Sequence, residues 1–250
     1  MSLKRRWPER LWIVRHGESA GNVARDAANA AGRAVIEIAE RDVDVPLSEA
    51  GQRQSEALGR WFAAMPEEAR PNTVLTSPYL RARHTASIIE SVGGYAATAA
   101  TSIDERLREK EFGILDRLTR LGIEQRHPEQ AQLRTLLGKF YHRPPGGESW
   151  CDVILRLRSA LDTVSLHHSG PESRVLIVAH QVIVLCLRYL LEGMTEDQIL
   201  AIDREGDVAN CSITTYFCAD EKLKLQHYNV VPGAGAAPVT AEPRKNKAGA

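Results

Sequence analysis

Length, composition and charge limit the class of protein. The chain has 250 residues, enough for one large α/β domain, and its 43% hydrophobic and 26% charged content is ordinary for a globular protein with a full core. Lys plus Arg and Asp plus Glu number 32 each, so the net charge predicts binding neither to nucleic acid nor to an anionic membrane.

Cysteine usage and hydropathy favour a cytoplasmic protein. No two cysteines have CxxC spacing, and four in a chain of this length do not make a disulfide framework, so reduced thiols are expected. No stretch is long and apolar enough to span a membrane, and no apolar run follows the basic N-terminus as it would in a signal peptide.

The predicted elements of the first half alternate between strands and helices. Residues 10–14 are a short apolar run that suits a buried strand, and residues 52–65 have apolar side chains at helical spacing. A second strand is expected at 72–75, followed by a helix that continues to about residue 89.

The second half repeats this alternation and then ends in strands. Residues 174–179 are apolar and largely β-branched, as buried parallel strands usually are, and a helix is expected at 182–191. Residues 212–218 and 222–229 alternate like a pair of strands at a sheet edge. The pattern predicts an α/β fold with a doubly wound, mostly parallel sheet and helices on both faces.

Domain organisation follows from changes in composition. Residues 1–231 are predicted to form one domain, in which a polar helical insertion at about 115–149 covers one end of the sheet. From residue 232 the chain is mostly Ala, Gly and Pro with scattered charge, so residues 232–250 are expected to be a disordered tail.

Unusual polar residues follow three of the predicted strands. Arg15 and His16 follow the first strand, with Asn22 about one turn further on; Arg81 follows the second, and His180 the last long one. Because sites in open α/β sheets form beyond the carboxyl ends of strands, these residues can meet in one crevice suited to a dianion. A single His or Arg after a strand usually has a structural role. The occurrence of all these residues in this order is hard to explain by structural roles alone.

Five motifs occur in register along the chain. They are RHGESAGN at 15–22, DVPLSEAGQRQ at 44–54, SPYLRARHTA at 77–86, LREKEFG at 107–113 and LIVAHQ at 176–181. This set resembles the histidine phosphatase superfamily, which includes the cofactor-dependent phosphoglycerate mutases and fructose-2,6-bisphosphatase.

The resemblance implies roles for particular residues. It makes His16 the nucleophile, which forms a phosphohistidine, and Glu109 the general acid and base; Asp104, Glu105 and Glu111 are rivals for that second role. The implied catalytic residues are His16, Glu109 and His180, and the implied phosphate-binding residues are Arg15, Asn22, Arg81 and Gln181.

The nucleophile has an electrostatic requirement. Imidazole must be neutral to attack phosphorus, because the protonated ring has no free lone pair. The nearby cations Arg15 and Arg81 are expected to disfavour the imidazolium form of His16.

Two departures from the family pattern indicate which branch of the superfamily the chain resembles. Gln181 stands where many members have Gly, and this variant resembles the bisphosphatase branch. The tryptophan-containing stretch that follows RHGES in the mutases is absent, which disfavours a mutase.

The remaining expectations concern ligands. No cofactor is expected, and no metal site is predicted, since no HExxH motif occurs. The insertion over the active site contains Lys139 and Arg143. These two cations either contact a second anionic group of the substrate or belong to a solvated helix end whose neighbouring aromatic rings pack inward. The expected partner is a small-molecule phosphate ester, with no nucleic acid and no membrane, and a homodimer is left open.

Three functions are compatible with these residues. The first is a metal-independent phosphatase, the second a phosphoglycerate mutase-like phosphomutase, and the third a non-catalytic protein that binds phosphate ligands. An intact His16 and a candidate acid argue against the third. Nothing in the sequence names the substrate.

Overall fold

The structure, a computed structural model, describes residues 7–232 and shows an α/β fold, as predicted. The basic N-terminus and, apart from residue 232, the tail predicted for 232–250 lie outside the described residues. The strands are β1 (Pro8–Arg15), β2 (Thr73–Thr76), β3 (Ala100–Ile103), β4 (Gly170–Ala179), β5 (Ile213–Ala219) and β6 (Lys222–Val230). The α-helices are α1 (Ala20–Ala30), α2 (Glu49–Ala63), α3 (Leu80–Gly93), α4 (Arg120–Arg126), α5 (Pro128–Tyr141), α6 (Trp150–His167), α7 (Gln181–Glu192) and α8 (Glu196–Glu205).

The strands form one mixed sheet in the order β3-β2-β4-β1-β5-β6. β1 to β4 are mutually parallel, whereas β5 runs antiparallel to β1, and β6 antiparallel to β5. The late strands therefore pair with each other, as predicted, and β6 is an edge strand. The carboxyl ends of the four parallel strands all lie at the same edge of the sheet.

Continuous apolar sequence makes β1 and β4 the centre of the sheet. Leu11 and Ile13 pack into the core beneath α6 and α7, and Trp12 and Val14 into the core beneath α2 and α3. All four are fully buried, because successive side chains of a strand point to opposite faces and both faces carry helices.

Helix α2 begins three residues earlier than its apolar spacing predicted. Ser48 is its N-cap, and the Ser48 hydroxyl accepts a hydrogen bond from the Gly51 N–H at 3.0 Å. This cap satisfies an N–H that has no partner within the helix, so the boundary is set by a polar residue and not by the apolar stripe.

The polar region 115–149 contains α4 and α5, so its predicted helical character is confirmed. The start of this region bonds to the segment after α1, with the Thr119 N–H donating to the Ala34 carbonyl at 3.1 Å. Its end packs on the helical layer, where the ring of Phe140 lies 5.6 Å from that of Tyr189 on α7. Within residues 7–232, no helix is long and apolar enough to cross a membrane.

Candidate active site

His16 lies immediately beyond the end of β1 and is held through its backbone and its ring. Its N–H donates to the Ala179 carbonyl at 2.9 Å, and its own carbonyl accepts from Asn210 Nδ2 at 3.0 Å. Its Nδ1 lies 2.7 Å from the Gly17 carbonyl. A carbonyl only accepts, so Nδ1 carries the proton and Nε2 keeps its lone pair.

The surroundings of His16 favour this neutral form. The residue is only 4% exposed. Burial, followed by the charges of Arg81 and Arg15, holds the pKa of His16 well below its usual value. At neutral pH the imidazole is therefore uncharged, although two cations lie nearby.

Arg15 and His180 are further polar residues close to His16. Arg15 donates from NH1 to the Val208 carbonyl, and burial lowers the pKa of its guanidinium to about 10, which still leaves it charged at neutral pH. The His180 ring lies 5.1 Å from that of His16, and its Nε2 is 2.7 Å from the Ser77 hydroxyl. Arg15 Nε and His180 Nδ1 are buried and have no hydrogen-bond partner among the described residues.

Arg81 approaches from the first turn of α3. Its side chain is 7% exposed, and its guanidinium stacks on the Tyr79 ring at 4.9 Å. The same guanidinium pairs with Asp42, at 3.0 Å from NH1 to Oδ1. Arg81 lowers the pKa of both His16 and His180, so its charge acts on both rings.

Asn22 belongs to the cap of α1. Its Oδ1 accepts from the Ser19 N–H at 3.0 Å, which completes a capping box at the helix start. Asn210, which sequence reasoning missed, lies 3.5 Å from the same oxygen through Nδ2 and also bonds to His16. Nothing local in the sequence distinguishes Asn210 from an ordinary loop asparagine.

Among the four candidate acids, Glu109 has the environment of a general acid. Burial raises its pKa, against the opposing effects of the Lys110 N–H, at 2.9 Å, and of Arg81 and Arg15. A raised pKa keeps the carboxyl group protonated closer to neutral pH, as proton donation to a leaving group requires.

The three rival acids differ from Glu109 in their surroundings. Burial alone would raise the pKa of Asp104, but hydrogen bonds and charge from Arg106, at 2.6 Å, hold it below its usual value. Glu111 accepts a hydrogen bond from the Tyr79 hydroxyl at 3.0 Å, and Glu105 is exposed. The arrangement therefore favours Glu109.

The loop that contains Glu109 is clamped by two residues that sequence reasoning did not select. Arg156 of α6 donates to the Glu109 carbonyl at 3.2 Å and pairs with Glu148 at 2.9 Å. Glu148 in turn accepts from the Glu111 N–H at 3.1 Å. The only available signal was the position of Glu148 directly after the turn PPGG.

Three predicted binding residues have protein partners of their own. Gln181 donates from Nε2 to Asp207 at 3.0 Å. Lys139 bonds to both carboxylate oxygens of Asp203, at 2.8 and 2.7 Å, and Arg143 pairs with Asp152 at 2.7 Å.

Five of the predicted site residues influence one another's pKa values and so form one electrostatic group: Arg15, His16, Arg81, Glu109 and His180. Lys139 and Arg143 instead belong to separate ion pairs.

Comparison with known proteins identifies the family. The sequence profile described as histidine phosphatase superfamily (branch 1) matches residues 11–231. The chain belongs to the histidine phosphatase superfamily. The family membership predicted from the five motifs is thus confirmed.

Relatives and solved structures in this superfamily include both mutases and phosphatases. The probable phosphoglycerate mutase GpmB of Photorhabdus laumondii is 30% identical over 206 residues, which are 82% of this chain and 82% of the relative. The mycobacterial glucosyl-3-phosphoglycerate phosphatase in complex with VO3 is 25% identical, with a TM-score of 0.68 over 88% of this chain and 98% of that one. The alpha-ribazole phosphatase of Shigella flexneri, at 21% identity and a TM-score of 0.70, covers 91% of this chain with 100% of its own and shows the shared fold.

Proposed function

We propose that the protein is a metal-independent phosphatase that hydrolyses phosphomonoesters through a phosphohistidine at His16. The observation on which the proposal depends is the state of that side chain. His16 is buried and neutral, its Nδ1 is committed to the Gly17 carbonyl, and it lies in the field of Arg15 and Arg81. A preorganised neutral imidazole beside two cations suits attack on a phosphoryl group.

In the first half-reaction, His16 Nε2 forms a bond to phosphorus while the bond from phosphorus to the leaving oxygen breaks. Glu109, whose pKa is raised by burial, gives a proton to the leaving alcohol from its protonated form. In the second, the Glu109 carboxylate takes a proton from water, the resulting hydroxide attacks phosphorus, and the nitrogen–phosphorus bond breaks. Inorganic phosphate leaves, and His16 regains its lone pair.

The remaining residues stabilise the phosphoryl oxygens. Arg15 Nε and His180 Nδ1 are buried and have no protein partner among residues 7–232, and a buried polar group without a partner is costly unless a ligand completes it. In the tautomer in which His180 Nε2 accepts from the Ser77 hydroxyl, Nδ1 carries the proton and can donate to a phosphoryl oxygen. Arg81 adds a planar fork that can bind two oxygens at once, and Asn22 and Gln181 complete the proposed phosphate-binding set.

A phosphomutase is the second candidate, because the relative from Photorhabdus laumondii is named a mutase. In that reaction, the phosphohistidine returns its phosphoryl group to a bound product instead of to water. Two observations favour the phosphatase. The tryptophan-containing stretch of the mutases is absent after RHGES, and a structural neighbour that covers most of the chain is a phosphatase.

The decisive experiment is capture of the phosphoenzyme. Rapid quenching with labelled substrate should yield an acid-labile, base-stable phosphoenzyme in the parent and none in His16→Ala, which should lose turnover of p-nitrophenyl phosphate while remaining folded. His84→Ala, a change at an exposed histidine on α3, is the matched control and should retain both the phosphoenzyme and turnover.

Activity should survive EDTA and be inhibited by vanadate, which mimics five-coordinate phosphorus.

Several outcomes would contradict the proposal. Substantial turnover by His16→Ala would exclude His16 as the nucleophile, and loss of activity on chelation, restored by a divalent metal, would exclude a metal-independent reaction. Efficient interconversion of phosphoglycerates with little hydrolysis would favour the mutase. Absence of turnover on any phosphate ester would favour the non-catalytic binding protein.

A further inference from the structure

Arg81 is paired with an acidic residue that none of the family motifs contains. Asp42 accepts from Arg81 NH1 at 3.0 Å through Oδ1 and from NH2 at 3.3 Å through Oδ2. The Asp42 carbonyl also accepts from NH1, at 2.5 Å. This is the paired, fork-shaped geometry by which arginine recognises a carboxylate or a phosphate.

The chain on either side of Asp42 is anchored, but the Asp42 side chain is not enclosed. Upstream, Arg117 NH2 donates to the Glu40 carbonyl at 2.7 Å, and downstream Val45 is buried at 2% exposure. Between these anchors, Asp42 begins the 3-10 helix Asp42–Asp44, and its side chain is 44% exposed. Its carboxylate can therefore turn into solvent without disturbing the core.

The charge of Asp42 also extends beyond Arg81. It contributes to the raised pKa values of Glu109 and of Asp116, so the carboxylate lies within the field of the candidate general acid. An anion at this position opposes the attraction that Arg15 and Arg81 exert on a phosphoryl group.

We propose that the Asp42 carboxylate competes with the phosphoryl group for the fork of Arg81 and so sets the affinity of the site for phosphate. This inference rests on the proposed function, since it takes the crevice to be a phosphoryl site. A phosphoryl group that uses the same fork has to displace Asp42. A weakly charged anion displaces the Asp42 carboxylate poorly. After hydrolysis, the Asp42 carboxylate pairs with Arg81 again and so promotes release of inorganic phosphate.

The test is titration of the folded protein with inorganic phosphate, followed by calorimetry at fixed ionic strength and pH 8, where phosphate is a dianion. Asp42→Asn keeps the size of the side chain and removes its charge, and it should bind phosphate about three- to thirtyfold more tightly, the range expected for loss of a competing charged hydrogen bond. The KM for p-nitrophenyl phosphate should fall in parallel. Asp44→Asn is the matched control, because Asp44 lies in the same 3-10 helix, pairs with Arg41 at 2.6 Å and should leave both values unchanged.

Weaker phosphate binding by Asp42→Asn would overturn the inference, since it would mean that Asp42 holds Arg81 in place for the ligand. Equal binding by parent and variant would overturn it as well. The titration needs no turnover, so it can fail while the phosphoenzyme still forms. Conversely, a failure to form the phosphoenzyme would defeat the proposed function without deciding how Asp42 affects phosphate binding.

Discussion

The two side chains proposed to perform the chemistry have pKa values displaced in opposite directions. Burial is the largest cause in both cases, because a low-dielectric environment disfavours the charged form of any group. It lowers the pKa of His16 and raises that of Glu109, so each is pushed towards its neutral form. A neutral imidazole can attack phosphorus, and a neutral carboxylic acid can donate a proton, so one physical effect prepares both partners.

This opposition predicts the pH dependence of the first half-reaction. With an alkyl phosphate, the burst rate should fall as pH rises through the raised pKa of Glu109, because the deprotonated acid cannot donate. Glu109→Gln should remove that alkaline limb and slow the alkyl ester by about 10²–10⁴-fold, the usual contribution of general acid catalysis. p-Nitrophenyl phosphate, whose leaving group needs no proton, should keep most of its burst rate.

Ionisation of the substrate affects the parent and the Glu109→Gln variant alike. The difference between their pH profiles of the burst rate therefore reports the ionisation of Glu109 alone. Burst kinetics are needed because the proposed mechanism also uses Glu109 as a base in dephosphorylation, and that step can dominate the steady state. Equal losses with both substrates would direct the search for the acid to Asp104, Glu105 or Glu111.

At the scale of elements, the end of α5 is tied to its neighbours by ion pairs. Gly138 has a non-helical backbone with φ 78° and interrupts the helix just before Lys139. Lys139 then pairs with Asp203 of α8, and Arg143 pairs with Asp152 in the first turn of α6. These pairs give both cations a structural role. An experiment therefore has to distinguish that structural role from the predicted contact with the substrate.

A double substitution with a matched control makes that separation. Lys139→Ala with Arg143→Ala should lower kcat/KM for a substrate that has a second anionic group and leave p-nitrophenyl phosphate nearly unaffected. Asp203→Asn breaks one ion pair but keeps the cation, so it should cost about 1 kcal/mol of the free energy of unfolding without lowering kcat/KM. Unchanged kinetics of the double variant on a panel of metabolite phosphates would assign both cations to structure alone.

At the scale of the whole molecule, buried histidines link stability to pH. Burial holds the pKa values of His16 and His180 well below those of the unfolded chain, where histidine titrates near 6.5. As pH falls below that value, the unfolded chain binds protons that the folded protein does not. The stabilisation is therefore fully present above about pH 6.5 and is lost towards the lower pKa values of the folded state.

The free energy of unfolding, measured with urea, should accordingly decrease from pH 7 to pH 5.5 by up to about 1.4 kcal/mol per pH unit for each such histidine. His16→Asn, whose side-chain amide can replace the Nδ1 hydrogen bond to Gly17, should show a smaller decrease. An identical decrease in parent and variant would mean that the pKa of His16 is not displaced in the folded protein.

Local sequence was sufficient for several of the elements but not for all of them, since β3, α1, α6 and α8 were not predicted. β1 and β4 were predictable because a run of apolar residues has to be buried on both faces, and α7 because its apolar run follows such a strand at once. His16 and His180 could be placed together because parallel strands end at one edge of a sheet. The start of α2 was misplaced because its cap, Ser48, is polar.

Contacts between distant parts of the chain were decided only by the tertiary structure. Asn210 reaches His16 across 194 residues, and Arg156 reaches the Glu109 carbonyl across 47. The pairing of Asp42 with Arg81 likewise spans 39 residues. Each of these residues is an ordinary polar side chain in its own neighbourhood, so no periodicity or spacing marks it. The sequence by itself determined the long buried strands and the motif residues, because their apolar runs and spacing are local. The edge strand β3 and the other polar groups around the site depend on strand order and loop packing, which only the fold of the whole chain decides.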